Sequence, residues 1–120
     1  MLLDSNIIIY STQPEFGSLR TLICDHAPSV SIISYIEVLG YHKLTDQEHC
    51  LLEQFFDVAE VISLSDAIAK VAVDLRKQRR MSLGDSIIAA TAVIHRKALV
   101  THNTADFDWI KELAILDPLA

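Results

Sequence analysis

The sequence predicts an α/β protein in which helices cover both faces of a mostly parallel sheet of four or five strands. Short apolar segments typical of buried strands alternate with segments of ten or more residues that are typical of helices. This alternation is the signature of βαβ units, whose right-handed crossovers make neighbouring strands parallel. With 120 residues, of which 51% are hydrophobic, the chain has the length of one ordinary domain and enough apolar material for its core. We therefore expect a single three-layer α/β/α domain over residues 1–120.

Five apolar segments are the expected strands. They are residues 1–3, "SVSII", "EVISL", "ALVT" and "LAILD", the last of them at an edge of the sheet. In an open parallel sheet, ligands bind outside the carboxyl ends of the strands. Residues that directly follow a strand are therefore the first candidates for a functional site.

Six helical segments separate the strands. They are "IIIYS", "SLRTLICDHA", "SYIEVLGYHKL", "TDQEHCLLEQFFD", "SDAIAKVAVDLRKQRR" and the segment that begins with "SLGDSIIAATA". Most of them carry apolar residues on one face. The last is apolar nearly all round, which predicts a central, buried position.

Carboxylates stand where several of these strands end. Asp4 follows the first strand, Glu37 comes three residues after Ser34, and the other two are Asp85 and Asp106. If the fold brings all four to one edge of the sheet, their mutual repulsion favours a bound cation. Ligation by oxygen alone suits Mg²⁺ or Mn²⁺, and the histidines and cysteines form no zinc-binding pattern.

The same spacing has a structural explanation. A serine or asparagine followed three residues later by an acid is typical of a capped helix start, and Ser63 with Asp66 has this spacing too. Considered singly, each of these acids is more often a helix cap than a metal ligand. Only their convergence would favour chemistry.

The formal net charge of −6 argues against general electrostatic attraction to nucleic acid. The exception is "RKQRR", which contains Arg76, Lys77, Arg79 and Arg80. This segment is either a solvated helix end or a surface that contacts phosphates.

The remaining global features concern compartment and redox state. Cys24 and Cys50 are isolated and are expected to be buried or partly buried thiols. No apolar run reaches the length of a membrane span, so we expect a soluble cytoplasmic protein.

Three segments resemble the PIN domain, in particular VapC-like ribonuclease toxins. They are "LLDSNIII", "SIISYIEVLGY" and "MSLGDSIIAATAVIHRKALVTHNTADF", and they occur in the family's order over nearly the whole chain. The resemblance implies that the metal-binding and catalytic residues are Asp4, Glu37, Asp85 and Asp106. It also implies that Thr101 and Asn103 are polar supports and that Ser5 and Asn6 form the turn after the first strand. Asp66 matches no catalytic position, and Gly84 stands where the family often has proline or alanine.

The implied function is Mg²⁺-dependent hydrolysis of RNA phosphodiester bonds by the toxin of a toxin–antitoxin pair, with Mn²⁺ as a possible substitute. One or two metal ions would activate a water molecule and stabilise charge on the phosphate oxygens. The family also implies a small antitoxin partner and a homodimer. Apolar side chains of "SLRTLICDHA" and "LLEQFFD" either supply those surfaces or belong to the core.

Two alternatives differ in chemistry. A non-catalytic PIN-like module with a decayed site would bind RNA or protein without cutting it, and nuclease assays distinguish it. A phosphotransferase with an aspartyl-phosphate intermediate is disfavoured because Asn6 stands where such enzymes carry a second aspartate.

Overall fold

A five-stranded, wholly parallel sheet forms the middle of the molecule. The computed structural model describes residues 1–120, and the strand order is β3-β2-β1-β4-β5. All four strand pairings are parallel. The strands are β1 (Leu2–Leu3), β2 (Ser29–Ser31), β3 (Glu60–Ile62), β4 (Leu99–Val100) and β5 (Ile115–Leu116). The sheet confirms the predicted class and places β5 at an edge.

Six α-helices connect and cover the strands. They are α1 (Ser5–Tyr10), α2 (Gly17–Asp25), α3 (Ile32–Leu39), α4 (Asp46–Val58), α5 (Asp66–Gln78) and α6 (Leu83–His95). Short 3₁₀ turns occupy Pro14–Phe16 and Thr104–Asp106. None of the helices combines the length and the apolar character needed to cross a membrane.

The two faces of the sheet carry separate apolar clusters. Leu2 and Leu99 pack against α5 and α6, whereas Leu3 and Val100 pack with residues of α1 to α4. Neighbouring residues of a strand point to opposite faces, so each short strand contributes to both clusters. Seven consecutive residues of α6 are buried, which confirms its predicted central position. This arrangement is the expected α/β/α sandwich.

The α3 helix begins earlier, and the α5 helix later, than the serine–acid spacing predicts. The α3 helix starts within "SVSII", because the Ser31 hydroxyl accepts a hydrogen bond from the amide of Ile33 at 3.1 Å. Glu37 therefore lies well inside α3 rather than in its first turn. At α5 the capping residue is Ser65, whose hydroxyl accepts from the Ile68 amide at 3.2 Å, so Ser63 and Asp66 do not form the expected capping pair.

The prediction that the two cysteines are buried or partly buried is wrong. Both thiols are free, and both Cys24 and Cys50 are exposed. The α2 and α4 helices bury other positions, such as Ile23 and Leu52. Cys24 directly follows Ile23, and Cys50 comes two residues before Leu52. Side chains one or two residues apart point in different directions around a helix, so both thiols face away from the sheet.

Candidate functional site

Asp4 is the most rigidly held carboxylate of the predicted site. It follows β1 as the N-cap of α1 and is 4% exposed. Its Oδ1 accepts a hydrogen bond from the Ser5 amide at 2.7 Å, and its Oδ2 accepts from the Thr101 hydroxyl at 2.8 Å. The Asn103 amide in turn donates to the Thr101 hydroxyl at 3.1 Å. The Asn103 contact is made by its backbone, and the start of α1 and the segment after β4 together fix the orientation of Asp4.

Glu37 reaches the same region from α3. Its Oε1 lies 2.8 Å from the Ser5 hydroxyl, which is also 2.9 Å from the hydroxyl of Ser34. A carboxylate can only accept, so Ser5 donates to Glu37 and its second contact uses the proton of Ser34. Ser5 is therefore a link between α1 and α3 as well as the first residue after Asp4. Ser5 and Asn6 do not form the predicted turn after the first strand but begin α1, and Asn6 is exposed at the rim of the same pocket.

Gly84 provides the space for the Glu37 carboxylate. A Cβ atom added at Gly84 would lie 2.6 Å from Oε2 of Glu37. The Glu37 carboxylate can therefore lie against the first turn of α6 in its present position because Gly84 has no side chain. This contact gives a physical meaning to the departure from proline or alanine at this position.

Asp85 connects the two parts of the site. Ser82 caps α6 by accepting a hydrogen bond from the Asp85 amide at 3.1 Å, as its sequence spacing predicts. The Asp85 side chain lines a pocket of about 350 Å³ together with Asp4 and Glu37. It also lines a second pocket of about 190 Å³ together with Asp106, which lies in the 3₁₀ turn after β4. The four predicted acids thus line two pockets that share Asp85, with Asp4 and Glu37 in one and Asp106 in the other.

The electrostatics of the site reflect this crowding. Burial raises the pKa of Asp4, and the charges of Glu37 and Asp106 add to this, against the opposing hydrogen bonds from Thr101 and Ser5. Burial, followed by the charges of Asp4 and Asp106, raises the pKa of Asp85 to about 6. The carboxylates are therefore close enough to penalise one another's ionisation, which a cation would relieve.

The donor set suits a hard divalent cation in chemistry, since it consists of carboxylates supported by hydroxyl groups. No three His, Cys, Asp or Glu side chains of the chain are already grouped as ligands for one ion. Asp4 is fixed, whereas Glu37 and Asp106 are exposed at the rim. A shared ion would therefore require movement of the exposed side chains toward Asp4 and Asp85.

The basic segment lies beside the second pocket. Arg79 and Arg80 line it, and the guanidinium of Arg79 lies 5.6 Å from the ring centroid of Trp109. The Nε of Arg76 instead donates a hydrogen bond to the Met81 carbonyl at 3.4 Å. Neither Arg76 nor Lys77 lines this pocket. No carboxylate forms an ion pair with any of these four cationic side chains.

Sequence reasoning missed Trp109 as a residue of this region. Its Nε1 donates to the backbone carbonyl of Asp106 at 3.0 Å, so the indole is tied to the turn that carries the fourth acid. The only sequence signal was its position three residues after Asp106.

Comparisons with known proteins agree with this architecture. No curated protein matches the chain significantly. Among solved structures, a toxin–antitoxin complex from Klebsiella pneumoniae has 28% identity and a TM-score of 0.80, over 98% of this chain and 96% of that one. The VapBC-1 complex of nontypeable Haemophilus influenzae has 25% identity and a TM-score of 0.75, over 97% of this chain and 96% of that one. The VapBC2 complex of Rickettsia felis, bound to a promoter DNA fragment, has 24% identity and a TM-score of 0.82, over 96% of both chains.

The family comparison covers nearly the whole molecule. The model of the PIN domain family matches residues 1–113, which include every strand except β5 and all four acids of the site. The chain therefore belongs to the PIN domain family.

Proposed function

We propose that the protein is a metal-dependent endoribonuclease that hydrolyses RNA phosphodiester bonds as the cytoplasmic toxin of a toxin–antitoxin pair. The observation that carries this proposal is that Asp85 shares pockets with the three other carboxylates, those of Asp4, Glu37 and Asp106, at the carboxyl edge of a PIN domain sheet. The two structural neighbours with 28% and 25% identity come from toxin–antitoxin complexes, which supports the biological part of the proposal.

The residues that would hold Mg²⁺, or Mn²⁺ in its place, are Asp4, Glu37, Asp85 and Asp106. A divalent cation bound there would lower the pKa of a water molecule and offset negative charge on the phosphate oxygens. The chain's own contribution is orientation. Thr101 and the Ser5 amide hold both oxygens of Asp4, and the Ser5 hydroxyl holds Glu37.

The basic segment supplies the attraction for RNA that a net charge of −6 does not. Its four cationic side chains are Arg76, Lys77, Arg79 and Arg80, and none is neutralised by an ion pair. Contacts of lysine and arginine with phosphates account for most of the sequence-independent affinity for nucleic acids. We propose that this segment positions the RNA strand beside the carboxylates.

An apolar groove between α2 and α4 is the proposed antitoxin surface. It has a volume of about 550 Å³, and its lining includes Ile23, Cys24, Leu51 and Phe55. These residues come from the two segments that the sequence marked as apolar, so some of their side chains are open rather than part of the core. Leu51 is 48% exposed. A homodimer is likewise proposed, and sedimentation analysis of the purified protein tests it.

Incubation of the purified protein with a panel of labelled single-stranded and structured RNAs tests the nuclease proposal. We expect cleavage in Mg²⁺ or Mn²⁺ and none in chelator. Asp4→Asn or Asp85→Asn should lower the rate by at least about 100-fold, the scale for loss of a major electrostatic stabiliser. Asp66→Asn is the matched control, because Asp66 lies at the start of α5 and lines neither pocket. RNA binding that is independent of metal, without cleavage of any RNA, would instead support the non-catalytic binding module.

A further inference from the structure

The second pocket contains groups that phosphodiester hydrolysis at the four acids does not require. Asp85 and Asp106 are part of its lining, and the remainder includes Arg79, Arg80 and Trp109. Single-stranded RNA is commonly bound by aromatic rings that stack on bases and by cationic side chains that follow the phosphates. The pocket combines both types of group directly beside the carboxylates.

The indole ring of Trp109 is held in a fixed position. One of its edges is tied to the Asp106 carbonyl through Nε1, and the ring packs against the apolar cluster between the sheet and helices α5 and α6. An aromatic ring that is already ordered loses little conformational freedom when a base stacks on it. The orientation of Trp109 is therefore suited to receive a planar ligand.

Arg79 covers one face of this ring without any carboxylate partner of its own. Its guanidinium lies 5.6 Å from the ring centroid, and neither Arg79 nor Arg80 forms an ion pair, although Asp85 and Asp106 line the same pocket. A cation–π contact at an exposed site is weaker than the stacking of a base on an aromatic ring. A base can therefore replace Arg79 on the ring, and the released guanidinium can bind a phosphate.

We propose that Trp109, Arg79 and Arg80 form a subsite for one nucleotide of single-stranded RNA next to the phosphate that is cleaved. The base stacks on the indole face that Arg79 covers, while Arg79 and Arg80 contact the adjoining phosphates. This inference rests on the proposed ribonuclease function for its substrate. It adds a specific role for Trp109, which lies outside the predicted set of site residues.

Trp109 is the only tryptophan in the chain, so its intrinsic fluorescence reports on this pocket alone. The Asp4→Asn protein in Mg²⁺ is titrated with a short single-stranded oligoribonucleotide, since this variant should bind RNA without cutting it. We expect the oligoribonucleotide to quench the tryptophan fluorescence as it saturates. Unchanged fluorescence at saturation, as judged by the anisotropy of a labelled oligoribonucleotide, would overturn the subsite.

Two substitutions of Trp109 in the Asp4→Asn protein isolate the stacking face. Both Trp109→Phe and Trp109→Leu lose the hydrogen bond to Asp106, but only phenylalanine keeps an aromatic ring. We expect Trp109→Leu to weaken oligoribonucleotide binding by at least about fivefold and Trp109→Phe to retain most of the affinity. Melting temperatures establish that both variants are folded, and equal affinity of the two would contradict base stacking.

The salt dependence of binding separates stacking from phosphate contact. Removing one contact with a single-stranded phosphate reduces the slope of log affinity against log salt by about 0.7. We therefore expect Arg80→Ala to reduce the slope and Trp109→Leu to leave it unchanged. Lys70→Ala is the matched charge control, because Lys70 is exposed on α5 and does not line the pocket. An Arg80→Ala slope equal to that of Lys70→Ala would overturn the phosphate contact.

Cleavage by the otherwise unchanged protein distinguishes failure of the subsite from failure of the proposed function. If the protein cuts RNA in Mg²⁺ and Trp109→Leu cuts and binds equally well, the subsite is wrong and the nuclease proposal stands. If no RNA is cut in Mg²⁺ or Mn²⁺, but the fluorescence quenching and the contrast between phenylalanine and leucine are observed, the nucleotide subsite stands without the hydrolase.

Discussion

Asp85 is subject to two opposing effects at the residue scale. Its position in the first turn of α6 is favourable, because the positive end of the helix dipole stabilises a carboxylate by typically about 0.3 to 1 kcal/mol. Burial and the charges of Asp4 and Asp106 act in the opposite direction and raise its pKa to about 6. The direction of the pKa shift is that of burial and like charge, which disfavour the ionised carboxylate. A helix cap alone does not account for this residue.

We therefore expect Asp85→Asn to stabilise the protein in chelator. Removal of the charge relieves a cost of burial and repulsion of about 1 kcal/mol after allowance for solvent screening, which corresponds to a melting temperature roughly 3 to 5 °C higher. Asp66→Asn should lower the melting temperature slightly, because Asp66 lies exposed at the start of α5 and interacts favourably with the helix dipole. Thermal unfolding of the unsubstituted protein, Asp85→Asn and Asp66→Asn in chelator measures both effects.

Metal adds a second contrast between these variants. A ligand that binds only the folded protein stabilises it by about 2.7 kcal/mol at a hundred times its dissociation constant. Mg²⁺ should therefore raise the melting temperature of the unsubstituted protein and of Asp66→Asn, and raise that of Asp85→Asn much less. If Asp85→Asn behaves like Asp66→Asn both in chelator and in Mg²⁺, Asp85 serves only to start its helix.

Gly84→Ala should separate fold stability from metal affinity. Alanine is favoured over glycine within a helix by roughly 0.5 to 1 kcal/mol, so the melting temperature in chelator should stay the same or rise. The new Cβ would lie 2.6 Å from Oε2 of Glu37, however, and the flexible Glu37 side chain must rotate away. We expect weaker Mg²⁺ binding in a titration followed by thermal stability.

Gly17→Ala is the control for this substitution. Gly17 begins α2, and a Cβ there would meet only the Arg20 side chain, at 3.4 Å. It should leave Mg²⁺ affinity unchanged. Wild-type Mg²⁺ affinity in Gly84→Ala would show that the position of Glu37 against α6 does not matter for metal binding.

At the scale of the elements, the sequence predicts which segments are strands and helices better than it predicts where they begin. Each strand lies within a short apolar segment of the sequence, and all five form. The continuous apolar run "SVSII" contains no signal for its own end, and the structure changes from strand to helix at Ser31. As a result, Ser34 is buried within α3 and contacts Ser5, although its spacing to Glu37 suggests a cap.

The corrected start of α5 can be tested directly. Because the Ser65 hydroxyl accepts from the Ile68 amide, Ser65→Ala should destabilise the protein by about 1 kcal/mol. Ser63→Ala should have an effect within about 0.5 kcal/mol, since Ser63 is exposed and forms no side-chain hydrogen bond with this helix. Urea unfolding of the two variants measures the difference. A larger effect at Ser63 would restore the capping pair suggested by the sequence.

The candidate site was predictable to the extent that its residues follow local motifs. Asp4, Asp85 and Asp106 stand at the ends or starts of elements, where spacing and family resemblance identify them. The contact between Gly84 and Glu37 depends on how α3 packs against α6, and the position of Trp109 depends on how the turn after β4 folds back toward α5. Such contacts join residues that are distant in sequence, so no local pattern contains them.

For the whole molecule, stability should depend on pH in a way set by two groups of carboxylates. Asp4 and Asp85 have raised pKa values. Hydrogen bonds lower the pKa of three others, with the largest contribution from the Thr45 amide for Glu48, from the Ser29 hydroxyl for Glu60 and from the Leu119 amide for Asp117. The first group destabilises the folded protein when ionised, and the second stabilises it when ionised.

These two groups predict a maximum of stability in chelator at about pH 4.5. Between about pH 4 and 6, the folded protein retains a proton on Asp85 that the unfolded chain has released, since its pKa rises from 3.8 to about 6 on folding. The folded state then binds more protons, and the free energy of unfolding falls as pH increases through this range. Below about pH 4.5, protonation of the carboxylates with lowered pKa removes their stabilising contribution, so stability falls again.

Saturating Mg²⁺ should reverse the pH dependence above the pH of maximum stability, so that the free energy of unfolding rises with pH instead of falling. Protons and Mg²⁺ compete for the same carboxylates, so the stabilisation by Mg²⁺ should increase from about pH 5 to 7 as Asp85 ionises. Asp85→Asn should lose most of the decline in chelator and most of the increase in Mg²⁺, because the group responsible for both is absent. Urea unfolding at several pH values measures the free energy of unfolding of the unsubstituted protein and of Asp85→Asn, each with and without Mg²⁺. Stability that rises from pH 5 to 7 in chelator would contradict the crowding of the carboxylates, and with it the electrostatic basis for a cation at this edge of the sheet.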